Sequence, residues 1–544
     1  MAAPVVTSES DIPLALPTRR RRAVPVLIRM AAALAGGGIF YASYPPRPLW
    51  YLAPLAFALL AFALRHRTAR GGFLYGLLFG MAFVMPLLEW LQSFLGREFG
   101  PFPWVGLSFV VSLYMALAGA AMAVVSKLRG GPVWMAAVFL GSEVLRTYFP
   151  FDGFPWGKVG FGQPEGLFLP LAAIGGTMLL GFAVVVTGTG LTELIVRWRA
   201  GDRRRALVLP VILVILPVVA GAASWSLVGT DAQAGTRTVA IIQGNAPDDG
   251  INLMYDTPIL RRNHLAATEK LAADIKAGRV AKPDIVVWPE VATDLEPDPR
   301  YDIELSQAIR DVGVPFLIGG RLIQNPTTIQ NVVQVWDPNT GPGQRYAKQK
   351  LVPFAEFIPL RAISAAVTPF VADTRDMIPG DEPGALAIDN TTVGVAICYE
   401  VAYDQVVGGA VRAGATMLAI PTNNAWYGPG EMSYQQLAMS RVAAVEYGRA
   451  VAVSATSGVS ALVQPDGTVT RQSELYTAAT LVAKLPLRTT ATLATRLGAW
   501  PEWVASVTGL AALALAIGAR LRNRSTTPRR APARTTDDTP EEDL

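Results

Sequence analysis

Val393-Gly394-Val395-Ala396-Ile397-Cys398-Tyr399-Glu400 is an apolar run that ends on a thiol, an aromatic ring and a carboxylate. Five consecutive small and β-branched residues with no polar alternation read as a strand buried on both faces. Such strands occur in sheets covered by helices, so this segment predicts a layered α/β domain. Cys398 is the only cysteine in 544 residues, which excludes an intramolecular disulfide and a thiolate metal cluster. A solitary cysteine at a strand end has two readings. It is an inert small hydrophobe, the commoner fate, or it is a nucleophile.

The same pattern extends to both sides. From Arg237 to about Leu487, strands are expected at 239–242, 285–288, 316–319, 332–336, 393–397, 417–420 and 451–454. Helices are expected at 258–277, 301–311, 404–413 and 433–447. A stretch of roughly 260 residues is long enough for one substantial core. It carries no internal repeat and no glycine-rich phosphate loop of the right pattern.

Outside this stretch the composition belongs to a membrane. The chain is 51% hydrophobic and only 16% charged, with a mean hydropathy of +0.34, which is too apolar for an ordinary soluble protein. Seven apolar stretches lie near 24–43, 48–64, 72–95, 104–127, 132–149, 168–196 and 206–226, and an eighth near 500–517. Each approaches the length that crosses a hydrocarbon core of about 30 Å as a helix. The expected organisation is therefore a cytoplasmic tail (1–23), a seven-span membrane domain (24–226), a globular domain (227–499), a closing span (500–519) and a disordered cytoplasmic tail (520–544).

The basic residues behind the net charge of +5 sit at the ends of apolar segments, which argues for membrane topology and against a nucleic-acid partner. Arg19-Arg20-Arg21-Arg22, Arg65, Arg67, Arg70, Lys127, Arg129, the loop from Arg197 to Arg205, and Arg520, Arg522 and Arg524 all fall on one side of the alternating spans. The positive-inside rule makes that side cytoplasmic and places the globular domain outside. The first span reads as a retained signal-anchor, because six more spans follow it.

Three strand ends in the globular domain carry reactive groups. Trp288-Pro289-Glu290 brings a carboxylate off a buried strand, where desolvation raises its basicity. The segment from Tyr346 to Glu356 holds Lys348, Lys350 and a second carboxylate in apolar surroundings. The third end is Cys398-Tyr399-Glu400. A thiol of ordinary acidity needs a nearby base or cation to attack as thiolate. Only two histidines exist, His66 in a loop and His264 on a polar helix face. Glu290 as base and Lys348 as electrostatic partner remain.

Each group also has a bland reading. Glu290 alone is a common helix N-terminal carboxylate, the lysines alone are a solvated edge pair, Glu356 alone is a surface ion-pair partner, and Trp426 and Phe354 alone are packing. Their joint occurrence in this order favours one site. The chemistry implies no metal and no organic cofactor.

These three segments resemble the signatures of the nitrilase superfamily. In this form, order and topology they resemble the apolipoprotein N-acyltransferase family, and the resemblance covers nearly the whole chain. It implies a multi-pass α-helical membrane domain of about eight spans plus an exported α/β nitrilase-like domain, an αββα sandwich. It further implies Glu290 as general base, Lys348 as oxyanion-stabilising cation and Cys398 as nucleophile. Glu356 would orient the lysine, and Tyr399 and Glu400 would shape the pocket.

Asn423-Asn424-Ala425-Trp426-Tyr427-Gly428 resembles the family's Asn-Asp-Ala-Trp-Phe-Gly, with Asn424 in place of the acid. Asn424, Trp426, Tyr427, Phe354 and Trp156 are candidate substrate contacts. Gly153-Phe154-Pro155-Trp156, with Glu143 and Arg146, resembles the outer-loop segment beneath the site. Gln243-Gly244-Asn245 also matches, but the Trp often found shortly after it is absent from Ile251-Asn252-Leu253-Met254-Tyr255. Leu360 to Met377 is expected to form a flap that touches the bilayer.

The implied reaction is acyl transfer through a Cys398 thioester, from a phospholipid donor to the α-amino group of a diacylglyceryl-modified apolipoprotein, at the outer face of the cytoplasmic membrane. The alternative is a membrane-anchored nitrilase-type amidase, in which water resolves the acyl-enzyme. A noncatalytic scaffold or transporter is a third reading, supported by the intramembrane acids Glu89 and Glu143.

Overall fold

The computed structural model describes residues 19–247, 257–296, 298, 302–325, 328–367, 371 and 375–525. Ile251 to Tyr255 and most of the C-terminal tail lie outside the described residues. The first part of the chain is helical: α1 (Arg19–Ala42), α2 (Ala53–Leu64), α3 (Ala69–Leu87), α4 (Trp90–Phe99), α5 (Phe102–Val125), α6 (Gly131–Tyr148), α7 (Ala172–Arg199) and α8 (Arg204–Ser224). Among the described residues six segments are long and apolar enough to cross a membrane, namely Pro25–Ala42, Ala69–Leu87, Phe102–Val125, Leu169–Arg199, Arg204–Leu227 and Trp500–Arg522. Trp50–Leu64 is a shorter apolar helix, and α6 carries Glu143 and Arg146 in its last turns. These eight segments stand where the sequence places eight spans.

One expected span is divided. The stretch 72–95 stops being one helix at Leu87, where a turn follows Pro86 and α4 begins afresh at Trp90. Proline removes a backbone donor and weakens the turn it occupies. The consequence is a short amphipathic helix that buries Trp90, Leu91 and Phe94, and the rings of Trp90 and Phe94 meet the globular domain.

That domain is two stacked sheets. The first runs β13-β1-β2-β4-β5-β6, with β3 paired to β4. Its strands are β1 (Thr236–Gln243), β2 (Ile285–Val287), β3 (Thr293–Leu295), β4 (Phe316–Asn325), β5 (Thr328–Asp337), β6 (Gly341–Ala347) and β13 (Ala479–Pro486). The second runs β12-β11-β10-β9-β8-β7, from β7 (Ala385–Ile388), β8 (Thr391–Val395), β9 (Met417–Thr422), β10 (Val451–Ala455), β11 (Ala461–Val463) and β12 (Val469–Gln472). The central strands β1, β2 and β4 are parallel, as are β8, β9 and β10. Ile241, Val287 and Leu317 from one sheet interleave with Val395, Met417 and Ala452 from the other.

Helices α9 (Thr257–Lys276) and α10 (Ile303–Val312) cover the far face of the first sheet, where Ile242, Val286 and Ile318 meet Leu265 and Ile309. Helices α11 (Asp404–Arg412) and α12 (Met432–Tyr447) cover the second. The layers are αββα. The α11 and α12 layer belongs to the same continuous core as the membrane helices, with Ile420 and Val442 in one cluster with Phe83 and Val184. Helix α7 is broken at Gly175 and Gly176, the latter at φ +67°. A Cβ on Gly176 would lie 2.8 Å from Glu446 Oε1 of α12, so the glycine lets the sandwich settle onto the membrane helices. The last helix, α13 (Trp500–Ser525), packs on α6.

The turn that carries Glu290 also depends on a glycine. Gly319 on β4 passes so close that a Cβ there would lie 2.0 Å from Pro289 O and 2.9 Å from Glu290 Cα. The variant Gly319→Ala is expected to lose about 1–3 kcal/mol through overpacking, read as a lower unfolding temperature of the detergent-purified protein. An unchanged transition would contradict this packing.

Candidate active site

The three reactive segments all leave strands at one end of the sandwich: Glu290 follows β2, Lys348 follows β6 and Cys398 follows β8. Cys398 opens a tight turn (Cys398–Ala402) with φ +54°, and the β-branched Val291 behind Glu290 has φ +52°. Non-glycine residues seldom hold such angles, and strain of this kind collects at functional turns. Here it lifts each reactive side chain off its strand toward the others.

Lys348 Nζ lies 2.9 Å from Glu290 Oε1 and 2.9 Å from Glu356 Oε1. The lysine side chain is 1% exposed and each glutamate 3%. Asn331 Nδ2 donates to the same two oxygens, at 2.7 and 2.8 Å. The remaining oxygens are held by backbone donors: Asn423 N to Glu290 Oε2 at 2.9 Å, and Val352 N to Glu356 Oε2 at 2.8 Å. Buried charges persist only when paired and hydrogen-bonded, and this set meets that condition. Burial alone would lower the Lys348 ammonium's pKa, but the carboxylates of Glu290 and Glu356 hold it well above the usual lysine value.

The Cys398 thiol is an electrostatic neighbour of both Glu290 and Lys348. Burial and the Glu290 carboxylate push its pKa up to about 12, against the pull of Lys348. The resting Cys398 side chain is therefore a neutral thiol. Gln436 Nε2 lies 3.5 Å from Sγ.

Glu400 works as a clamp. Its Oε1 accepts from Gln349 N at 2.7 Å, Lys350 N at 3.0 Å and Tyr346 Oη at 2.9 Å, and its Oε2 accepts from Ile397 N at 2.7 Å. One buried carboxylate thus ties the lysine loop to the strand end that carries Cys398. Burial nevertheless pushes its pKa up to about 7, against the hydrogen bonds that favour its charge.

The aromatic candidates gather beside the thiol. Tyr399 stacks on Trp156 with centroids 6.4 Å apart, and Trp156 Nε1 donates to Gln435 Oε1 at 2.7 Å. Trp90 meets Trp156 at 5.7 Å and Tyr427 at 5.0 Å, while Phe94 stacks on Trp426 at 6.3 Å. These rings form a collar between α4 and the turn that carries Cys398. The segment bearing Trp156 is fixed from the membrane side. Arg146 donates to Phe154 O at 3.2 Å and to Trp156 O, and Glu143 Oε1 accepts from Val159 N at 2.9 Å. Glu143 thus has a structural task.

Asn424 is buried in a polar chain with Thr422 and Gln436. Phe354 does not join the buried group; it is 60% exposed, at φ +66°. Among the described residues no group of three or more His, Cys, Asp or Glu could hold a metal ion.

Residues 36–190 match the apolipoprotein N-acyltransferase N-terminal domain family, and residues 238–495 match the carbon-nitrogen hydrolase family. The chain is 36% identical over 510 residues to the apolipoprotein N-acyltransferase of Mycolicibacterium smegmatis, covering 90% of this chain and 85% of that one. It is 29% identical over 522 residues to the enzyme of the same name from Azotobacter vinelandii, covering 91% and 95%. The chain belongs to the apolipoprotein N-acyltransferase family. It is a membrane acyltransferase with a nitrilase-type catalytic domain. A crystal structure of an amidase from Nesterenkonia sp. is similar at 18% identity, with a TM-score of 0.32, over 46% of this chain and 91% of that one. Because the match includes the membrane half, neither the amidase nor the scaffold reading is favoured.

Three features of this N-acyltransferase escape a sequence reading. Asn331, the donor shared by both glutamates, stands on β5 with Thr328, Gln330 and Gln334, so a polar residue there does not single it out. Gln436 sits on a helix that is buried all round, so no polar face marks it. His264, expected on a polar helix face, is fully buried instead. Its Nδ1 lies 2.7 Å from Leu260 O, its ring packs 5.5 Å from Trp288, and burial pulls its pKa down to about 4. It is neutral packing behind the sheet, far from general-base work.

Two outcomes follow from the electrostatics. Because the Cys398 thiol is raised, the thiolate fraction grows with pH: alkylation of this sole cysteine by a neutral reagent should be slow at about pH 7 and rise about tenfold per pH unit. A plateau near neutrality would show a preformed thiolate. Glu400→Gln turns one of its oxygens into an N–H₂ facing donors, so acylation of Cys398 in a mass assay should slow at least about tenfold.

Proposed function

We propose that Glu290, Lys348 and Cys398 carry out a two-step acyl transfer between lipids. The observation that carries this reading is Lys348, held between two glutamates next to a buried thiol, at the end of the sandwich that rests on membrane helices. Glu290 takes the proton from Cys398, and the sulfur attacks the ester carbonyl carbon of a phospholipid acyl chain. The oxyanion that forms is stabilised by the Lys348 ammonium. Collapse breaks the carbon–oxygen ester bond, and Glu290 returns its proton to the departing alkoxide. A Cys398 thioester and a lysophospholipid result.

The free α-amino group of a diacylglyceryl-modified lipoprotein cysteine then attacks the thioester carbonyl. Glu290 accepts the amine's proton, the carbon–sulfur bond breaks, and the proton returns to the sulfur. The product is the N-acylated lipoprotein. Glu356 orients Lys348 throughout, while Tyr399, Trp156, Trp426 and Tyr427 line the approach from the bilayer.

The proposed location of the catalytic domain is the extracytoplasmic face of the cytoplasmic membrane. Arg29 Nη1 donates to Arg65 O at 3.1 Å, and Arg520 acts electrostatically on Lys127, so basic residues from separate connections share one end of the bundle. That end is the cytoplasmic one by the positive-inside rule. Phe354, Leu360 and Ile363, each at least 60% exposed, offer the apolar surface of a flap against lipid. Both substrates are lipid-anchored, so a site at the bilayer avoids moving acyl chains into water.

Intact-mass analysis of purified enzyme with phospholipid tests the scheme. Wild type should gain one acyl group that Cys398→Ala lacks, and a diacylglyceryl peptide should remove it as N-acyl peptide. Equal adducts on both proteins would sink the nucleophile assignment. Loss of the adduct without acylated peptide would mean hydrolysis.

A further inference from the structure

Gln436, on α12, is 1% exposed, and its Nε2 donates to Cys398 Sγ at 3.5 Å. The two-step scheme gives this amide no task. Its orientation, however, is dictated by its neighbours. Met432 Sδ, which has no proton to give, lies 3.1 Å from Asn424 Nδ2, so the Asn424 amide must face it with N–H. The Asn424 oxygen then faces the Thr422 hydroxyl at 2.8 Å. Asn424 Nδ2 also donates to Gln436 Oε1 at 2.9 Å, and Thr422 Oγ1 lies 2.8 Å from the same oxygen. With its carbonyl turned toward the Asn424 N–H₂, the planar Gln436 amide aims N–H at the sulfur; the single Thr422 proton serves one of the two amide oxygens and is not needed for this orientation.

We propose that Gln436 is a catalytic hydrogen-bond donor to the nucleophile, stabilising sulfur as it becomes anionic, and that Asn424 is the positioning residue that aims it. This rests on the reading of Cys398 as the nucleophile. The site needs such a donor: Lys348 is already engaged by Glu290 and Glu356, and a neutral amide helps the developing thiolate without adding charge. It also accounts for Asn424 standing where the resembling motif has an acid. A carboxylate there could only accept. It would repel Met432 Sδ, draw the Gln436 N–H toward itself and turn the Gln436 oxygen onto the sulfur.

The test uses full-length enzyme in detergent, with two readouts. The first is single-turnover thioester formation at varied phospholipid. The second is the alkaline titration of the sole thiol, read as thiolate absorbance after a rapid pH jump with Cys398→Ser as blank. Gln436→Met keeps the volume and removes the donor. It is expected to slow acylation about tenfold or more at saturating lipid, to change the half-saturating lipid less than about twofold, and to move the thiol titration up by about one unit. Asn424→Leu keeps Gln436, adds no charge and removes the donor that aims it; it should move both readouts the same way, which carries the test if the first variant fails to fold. The other titratable neighbours of the sulfur, Glu290, Lys348 and Tyr427, are unchanged in both variants. Wild-type rates with an unmoved titration would overturn the proposal. So would a slower rate with an unmoved titration, which would leave Gln436 as packing. An absence of acylation on Cys398 in wild type would instead overturn the nucleophile assignment.

Discussion

The buried pairing of Lys348 with Glu290 and Glu356 is the constraint around which the site is arranged. An ammonium taken out of water is tolerated only with excellent geometry and full hydrogen bonding. That demand fixes the end of β6 relative to the ends of β2 and β9, and it recruits Asn331 from β5 and backbone N–H groups at Val352 and Asn423. Removing one partner of such a group typically costs about 3–5 kcal/mol, because the other charge stays buried. The strained turns at Cys398 and Val291 are held within this frame. The same charges that order the site also act on the thiol, since Glu290 raises it and Lys348 pulls it down.

The membrane half takes part in this arrangement through aromatic rings. Trp90 and Phe94 on α4, and Trp156 on the segment held by Arg146 and Glu143, pack on Tyr399, Trp426 and Tyr427. Tyr399 follows the nucleophile directly, so any shift of the 153–159 segment is transmitted to the turn that carries Cys398. A soluble relative of the fold could keep the buried charges, but it would have to cover this aromatic face in another way. The break between α3 and α4 at Leu88 and Glu89 is what turns the rings of α4 toward the sandwich.

How much of this was legible depends on burial. The central strands are apolar on both faces, so β1, β2, β4, β5, β8, β9 and β10 stand out in the sequence. The edge strands β6 and β12, with Gln344, Arg345, Arg471 and Gln472, have one face in water and no continuous apolar run. Three-residue strands such as β3 and β11 are too short to show a period. In the site, Glu290, Lys348 and Glu356 stand out in the sequence because charged groups in apolar runs are anomalous, and Cys398 because it is the only cysteine. Glu400 was legible as a position but not as a clamp, because its partners are backbone N–H groups that only the fold brings to it. His264 was misplaced because histidine is read as polar, whereas this ring is neutral and packs behind Gly244 and Trp288.

A thiol raised to about 12 could look like a poor nucleophile, yet on the proposed mechanism it suits an acyl carrier that must survive between lipids. A standing thiolate would be open to oxidation and alkylation for the whole resting time, whereas a neutral buried thiol is inert until a carbonyl is in place. The intrinsic nucleophilicity of sulfur rises with its basicity, so a high pKa also yields a stronger attacking anion at the moment of transfer. On that mechanism the difficulty is moved to proton removal, the step proposed for Glu290. The same basicity makes the thiolate a poor leaving group when the amine attacks the thioester. On the proposed mechanism, a donor that stabilises anionic sulfur, the amide of Gln436, therefore acts in both halves of the cycle, lowering the barrier to its formation and to its departure.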